Sequence, residues 1–102
     1  HKPIDLARPK QNIKTSGFMP IERQKIDRYI ENGWLDTFRL FHDDGERYSW
    51  WSYRSGARPR NIGWRIDYFF VNKGMEKNCL DADIYQNVFG SDHCPVSLEL
   101  EF

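Results

Sequence analysis

Strict alternation of apolar and polar residues marks the end of the chain, VSLELEF. Valine, leucine or phenylalanine occupies every second position from Val96 to Phe102, with serine or glutamate between them. Successive side chains of a strand point to opposite faces of a sheet, so the pattern predicts a half-buried β-strand beginning after Pro95.

A helical pattern appears in residues 20–33. Ile26, Tyr29 and Ile30 lie three and four positions apart and would share one face of a helix. Gly33 can adopt the left-handed conformation that commonly ends a helix. The pattern therefore predicts one amphipathic helix.

Aromatic enrichment predicts two further strands, at residues 48–53 and 64–71. These strands could pair across the arginine-rich residues 54–60, although that connection is long for a hairpin. We also expect a short strand at residues 84–88. The remaining segments fit connections: 34–42, which suits either a helical turn or an extended segment, and 1–17, a long basic loop.

Composition restricts the possible classes of protein. The 102 residues include fifteen basic and fifteen acidic side chains, so the formal net charge is zero and one domain at most is expected. Cys79 and Cys94 are too few for a disulfide framework, and no secretory leader is recognisable. No apolar run approaches the roughly 20 residues that cross a bilayer. We therefore expect no membrane partner and a cytoplasmic location.

Three titratable residues, Asp92, His93 and Cys94, lie in the bend GSDHCPV before the last strand. Glycine, serine, aspartate and proline favour turns, so an ordinary turn is one interpretation. Acid–base chemistry is the other, because histidine has an ordinary pKa of about 6.5. A catalytic imidazole needs a carboxylate on its other ring nitrogen. Asp92 is adjacent in sequence and should point away, so we expect this carboxylate elsewhere.

Asp67 in NIGWRIDYFF is a candidate for that carboxylate. Alternation places it with Arg65 on one face of a strand, opposite Trp64 and Ile66. An aspartate among apolar neighbours is costly to bury unless it is paired. Two partners remain open: a nearby arginine, or His93 if Asp67 lies on the strand beside the C-terminal one.

Aromatic and arginine side chains alternate in the central third of the chain. They fit a core in which cationic stems cover tryptophan faces, or a surface that grips phosphates. With the basic residues near the start, the second interpretation gives a track for a nucleic-acid backbone. The central residues concerned are Trp50, Trp51, Tyr53, Arg54, Arg58, Arg60, Trp64 and Arg65.

Four segments together resemble the C-terminal part of an exonuclease III-type AP endonuclease: HKPIDLARPK, GFMPIERQ, WWSYRSGARPRNIGWRIDYF and GSDHCPV. These enzymes are the DNA-repair branch of the endonuclease/exonuclease/phosphatase superfamily. The resemblance implies an α/β (α+β) fold, as part of a DNase I-like four-layer α/β/β/α sandwich with a mostly antiparallel sheet. Residues 1–102 would then form the C-terminal portion of a single domain whose N-terminal portion is absent.

The resemblance further implies a DNA-repair phosphodiesterase that depends on Mg²⁺ or Mn²⁺. Its partner would be double-stranded DNA, cut on the 5′ side of abasic sites or trimmed from 3′ ends. The residues that match the family's positions fall into four groups: catalytic His93, Asp67 and Asp92; metal-site Asp92 and His93; the abasic-sugar pocket of Trp50, Trp64 and Ile66; and DNA-contacting Arg8, Lys10, Asn12, Arg58 and Asn61.

Other parts of the family's active site have no match in this chain. A GDxNVA motif with a catalytic aspartate and asparagine, and the glutamate that is the main metal ligand, would precede His1. We therefore expect the main metal ligands in the N-terminal part and no useful nuclease activity from this chain alone. Its apolar sheet face should need the missing half, a companion chain or a dimer mate. The alternatives are a non-catalytic DNA-binding module and a superfamily phosphatase with a non-DNA substrate.

Overall fold

The structure, a computed structural model, describes all residues from His1 to Phe102. Two α-helices and six short β-strands follow one another along the chain: β1 and α2 lie directly after α1, and the remaining strands are separated by loops and short 3₁₀ turns. The elements are α1 (Pro20–Glu31), β1 (Trp34–Asp36), α2 (Thr37–Phe41), β2 (Trp50–Trp51), β3 (Gly63–Trp64), β4 (Phe70–Asn72), β5 (Cys79–Ile84) and β6 (Val96–Leu100).

All three strand pairs are antiparallel. β2 pairs with β3, with Trp50 opposite Trp64, so the pairing across residues 54–60 is observed. β5 pairs with β6, and β1 pairs with β4. The last strand begins after Pro95 as the alternation predicts.

β2 lies between β3 and the bend that carries His93. Ser49 donates its backbone N–H to the Trp64 carbonyl at 3.0 Å, and its own carbonyl accepts the Cys94 N–H at 2.9 Å. Trp50 also forms an isolated antiparallel bridge with His93. The strand arrangement considered for the second alternative, with Asp67 directly beside the C-terminal strand, is not observed: β6 pairs with β5, and Ser49 lies between Trp64 and the bend at Cys94.

The expected strand 64–71 is interrupted. Residues 65–69 lie outside the ladders, and pairing resumes only at β4. The hydroxyl of Ser49 accepts the backbone N–H groups of both Ile66 and Asp67, each at 3.1 Å, so it takes the place of a neighbouring strand. Trp64 and Ile66 still line one cleft, as alternation predicts, but the charged Arg65 is the buried residue and the apolar Ile66 is exposed.

Two other strand boundaries differ from expectation. Residues 48–53 form a strand only at β2, and the strand expected at 84–88 lies earlier, at β5. The register with β6 explains the second difference: it pairs Ala82 with Leu98 and Ile84 with Val96, which brings apolar residues together on one face.

Helix α1 ends two residues before Gly33, which has the left-handed φ of 93° expected after a helix end. No residue of α1 is fully buried, so the stripe of Ile26, Tyr29 and Ile30 covers the molecule only partly. The ambiguous segment 34–42 contains both alternatives, a strand followed by a helical turn. None of the helices combines the length and apolar character needed to cross a membrane.

Trp51 belongs to a cluster of six buried residues, which also contains Phe38, Tyr48 and Ile84. Its indole N–H donates to the side-chain oxygen of Asn61 at 3.0 Å. Gly63 is required beside it, because a Cβ at that position would lie 2.5 Å from the indole nitrogen. This packing fixes β2 and β3, the two strands that carry Trp50 and Trp64.

Candidate active site and nucleic-acid interface

His93 and Asp67 form a hydrogen-bonded pair at the surface. The Nδ1 atom of His93 lies 2.8 Å from Oδ2 of Asp67, and their side chains are 42% and 36% exposed. Of the two partners left open for Asp67, the structure shows the histidine. A carboxylate at Nδ1 favours the tautomer protonated there, so Nε2 is the nitrogen left to accept a proton or a hydrogen bond.

Asp92 faces Trp50 rather than His93. Its Oδ2 accepts the indole N–H of Trp50 at 3.0 Å, and Oδ1 accepts the Ser91 hydroxyl at 3.3 Å. The hydrogen bond from Trp50 lowers the pKa of Asp92, so this carboxyl is ionised at neutral pH. The contact also fixes the plane of the Trp50 ring.

The residues of this chain do not by themselves fit a Mg²⁺ site. Mg²⁺ prefers six oxygen ligands in octahedral geometry. Asp92 offers a carboxylate, but Nδ1 of His93 is occupied by Asp67. No group of three or more histidine, cysteine, aspartate or glutamate side chains converges anywhere in the 102 residues. Asp92 can thus be one ligand of an ion but not a complete site.

Trp50, Trp64 and Ile66 line a single cleft with a volume of about 590 Å³. Arg8 and Asn12 from the N-terminal loop line the same cleft. Two regions that are distant in sequence therefore meet around the aromatic rings. The cleft has the size and mixed lining of a small-ligand site.

Trp64 is held in place from the side of α1. Its ring meets that of Phe18 edge-on, with centroids 6.3 Å apart. A Cβ at Gly17 would come within 3.1 Å of the Trp64 ring, and Gly17 has a φ of 99° that favours glycine. The loop before α1 therefore fits closely against one wall of the cleft.

Arg54 and Arg60 also line the cleft, although only Arg58 and Asn61 matched DNA-contacting positions in this loop. Both are exposed. The sequence marked the loop as a phosphate-binding candidate, but three arginines in seven residues gave no way to rank them. The structure distinguishes the three arginines, because Arg54 and Arg60 line the cleft and Arg58 does not.

Two of the expected DNA-contacting residues have their polar groups engaged within the protein. Arg58 donates to backbone carbonyls of the loop before β6. Asn61 accepts from Trp51 and donates to the Glu46 carbonyl at 3.0 Å. Their contact with DNA remains a prediction, with fewer free donors than the sequence suggested.

The N-terminal loop is arranged by its own side chains. Asn12 donates to the Arg8 carbonyl at 2.8 Å and accepts the Thr15 hydroxyl at 3.1 Å. Lys10 is exposed but does not line the cleft. Arg8 and Asn12 are therefore better placed than Lys10 to meet a ligand inside it.

A buried ionic network lies behind the site and had no signal in the sequence. Nε of Arg65 donates to Asp5 at 2.7 Å, and its Nη1 donates to Asp36 at 3.0 Å. Arg39 also donates to Asp5, at 2.9 Å. Burial alone would raise the pKa of Asp5, but the hydrogen bond and charge of Arg65 outweigh it and hold that pKa well below its usual range.

The network fixes residues 64–67, which contribute Trp64 and Ile66 to the cleft and Asp67 to the pair with His93. Arg65 lies between Trp64 and Ile66, and its backbone N–H donates to the Asp5 carbonyl at 2.6 Å. The guanidinium of Arg65 also lies 4.3 Å from the ring centroid of Tyr68, whose pKa is raised by burial. Arg65 thus fixes the backbone two residues before Asp67 and contacts the ring of Tyr68, the residue directly after it.

The sequence matches the endonuclease/exonuclease/phosphatase family over residues 6–93. An exodeoxyribonuclease of Bacillus subtilis is 52% identical over 99 residues, which are 96% of this chain and 39% of that protein. The DNA repair nuclease APEX1 of Danio rerio is 42% identical over 101 residues, which are 98% of this chain and 33% of that protein. The chain thus spans between about a third and two fifths of the length of these relatives.

The solved structure of the AP endonuclease LMAP from Leishmania major superposes with a TM-score of 0.90 at 35% identity. The match covers 98% of this chain and 32% of that one. The expected α/β class with mostly antiparallel strands is thereby confirmed.

Proposed function

The chain belongs to the endonuclease/exonuclease/phosphatase family, and we propose that it forms the C-terminal, DNA-contacting part of an AP endonuclease or 3′→5′ exodeoxyribonuclease. The observation that carries this proposal is the position of Trp50. Its backbone lies opposite His93, its indole donates to Asp92, and its ring lines the cleft. One residue therefore joins the acid–base pair to the surface on which a substrate would lie.

Hydrolysis of a phosphodiester needs a positioned water, neutralisation of charge on the phosphoryl oxygens, and help for the leaving oxygen. In the proposed reaction His93 binds the phosphate or moves a proton at Nε2, and Asp67 holds its ring and stabilises its cationic form. A positioned general acid–base group typically contributes about 10²–10⁴-fold to the rate.

The cleft suits an extruded abasic sugar flanked by phosphates. The faces of Trp50 and Trp64 offer apolar contact, while Arg8, Arg54 and Arg60 add positive charge around them. Extrusion from the duplex costs least where a base is already missing, so such a cleft favours damaged DNA. The arginines would bind the backbone without reading sequence.

The metal of the proposed enzyme is Mg²⁺ or Mn²⁺, with its main ligands outside these 102 residues and Asp92 at its edge. The 102-residue chain alone is then inactive, and an N-terminal half, a companion chain or a second copy covers its exposed apolar residues. Examples of such residues are Phe69, Leu80 and Phe102. A cytoplasmic location remains a prediction.

The test uses the natural full-length protein that contains this chain, Mg²⁺, and a duplex with one tetrahydrofuran abasic analogue. We expect a single cut on the 5′ side of the analogue and little cutting of the intact duplex. Binding of the abasic duplex with no cutting under these conditions would favour a DNA-binding module instead. Hydrolysis of phosphate esters other than DNA would favour a phosphatase with another substrate.

A further inference from the structure

Arg58 lies between two aromatic rings next to the active-site bend. Its guanidinium carbon is 4.5 Å from the ring centroid of buried Trp51 and 4.2 Å from that of Phe89. Such stacking over two rings fixes the plane of a guanidinium. The side chain is therefore held by the core on one side and by the loop before β6 on the other.

The same guanidinium binds three backbone carbonyls of that loop. Nη2 donates to Gln86 at 2.9 Å and to Val88 at 2.7 Å, and Nη1 donates to Ser91 at 3.1 Å. Ser91 is followed directly by Asp92 and His93. Arg58 thus connects the 54–60 loop to the segment that leads into the proposed catalytic residues.

These contacts leave little of Arg58 for a phosphate. Both of its terminal nitrogens donate to carbonyls, and Nε is buried without a partner. Arg60, two residues away, has one long contact of 3.3 Å to the Ser55 carbonyl and lines the cleft. The two arginines therefore differ in role although they belong to one loop.

We propose that Arg58 is a positioning residue: it fixes residues 86–91 and thereby sets the place of Asp92 and His93, while Arg54 and Arg60 meet the DNA backbone. This inference rests on the proposed function. A planar fork that binds three carbonyls and stacks on two rings is specific to arginine, since lysine offers one point charge. Misplacing a catalytic group by about 1 Å can cost about 10²-fold in rate.

The kinetic test compares Arg58→Met, Arg58→Lys and Arg60→Met in the natural full-length protein, with Arg28→Met on the exposed face of α1 as the control. We expect both Arg58 variants to lose about 10- to 100-fold in kcat, with DNA affinity and its salt dependence unchanged. Arg60→Met should raise KM and reduce the salt slope by about 1. The inference would be overturned if Arg58→Met raised KM and reduced the salt slope, as expected for loss of a phosphate contact, and if Arg58→Lys restored both values.

Hydrogen exchange tests the inference without any catalysis, so it separates failure of this role from failure of the proposed function. The Val88 N–H donates to the Tyr85 carbonyl, and the Trp51 N–H donates to the Asp92 carbonyl at 3.1 Å. Both amides should exchange at least tenfold faster in the Arg58 variants, while β5 and β6 stay protected. A local positioning role would be contradicted if the exchange rates of these two amides did not change. It would also be contradicted if the exchange rates rose equally at all amides of the variants, β5 and β6 included.

Discussion

Trp50 lies opposite His93 in an antiparallel bridge, although 43 positions separate them in the chain. The bridge places Trp50, the first residue of β2, between the cleft and the His93–Asp67 pair. We therefore expect some side chains of this region to affect mainly the rate of DNA cleavage and others mainly the affinity for DNA.

Asp67→Asn should lower kcat while DNA affinity stays the same. The amide keeps the shape of the carboxylate but does not stabilise the cationic imidazole, so we expect a loss of about 10²-fold or more. Asp43→Asn, at an exposed loop position, is the control. Single-turnover cleavage of the abasic duplex measures the rate. Loss of affinity at unchanged kcat would instead assign Asp67 to substrate binding.

Trp50→Phe should reduce the rate more than the affinity. Phenylalanine retains an aromatic face for the cleft but removes the indole donor that binds Asp92. Without that donor the Asp92 carboxylate can reorient, and displacing an active-site group by about 1 Å can cost about 10²-fold in rate, so we expect kcat to fall by about tenfold or more. Equilibrium binding of the abasic duplex is the second measurement. Equal losses in kcat and in affinity would show that the hydrogen bond from Trp50 to Asp92 has no role in the rate beyond its role in binding.

Trp64→Ala should weaken binding to abasic DNA and reduce its preference over intact DNA. The extruded sugar has no base to stack, so the indole contributes apolar contact: burying about 40–70 Å² at roughly 25 cal/mol per Å² corresponds to about 5- to 20-fold in affinity. Trp34→Ala removes an exposed tryptophan that lies in β1, away from the cleft, and is the matched control. Equal effects of the two substitutions on abasic binding would argue against the cleft as the substrate site.

Several strands and site residues of this region could be predicted from the local pattern of apolar, aromatic and polar residues. Alternation located β6 because side-chain periodicity directly reflects burial of one face, and aromatic enrichment marked the two segments that contain β2 and β3. The resemblance brought Trp50, Trp64 and Ile66 together as a set, and they share one cleft. Sequence alone left the partner of Asp67 open, since that choice depends on packing across 26 residues.

The parts that sequence did not reveal depend on single long-range contacts. Within the break at residues 65–69, one serine hydroxyl accepts the N–H groups of Ile66 and Asp67, a contact that no propensity scale registers. The network of Arg65 with Asp5 spans 60 residues, and the contacts of Arg58 span about 30. Charged residues in a sequence look alike whether they face solvent or each other.

Arg65→Met should destabilise the protein strongly at neutral pH. The substitution leaves the buried Asp5 without its main partner, and breaking a buried ion pair costs about 3–5 kcal/mol. Urea unfolding of the natural full-length protein gives the free energy, with Arg28→Met as the control. A change below about 1 kcal/mol would mean that the network is replaceable by water or by Arg39.

The same network gives a pH dependence of stability. The folded pKa of Asp5 is lower than its unfolded value of about 3.9, so its stabilisation is complete above about pH 4 and is lost as pH falls. The Arg65→Met protein should lack this contribution. Unfolding free energies at pH 7 and pH 3 should therefore differ more for the unaltered protein than for the variant.

The central claim is that His93 and Asp67 act as one unit in cutting DNA, and a double-mutant cycle tests it directly. Single-turnover cleavage of the abasic duplex is measured for the natural full-length protein, His93→Gln, Asp67→Asn and the double variant. His93→Gln should lose about 10²–10⁴-fold, and the double variant should lose no more than His93→Gln alone. Losses that multiply in the double variant, or a His93→Gln rate close to that of the unaltered protein, would contradict the account.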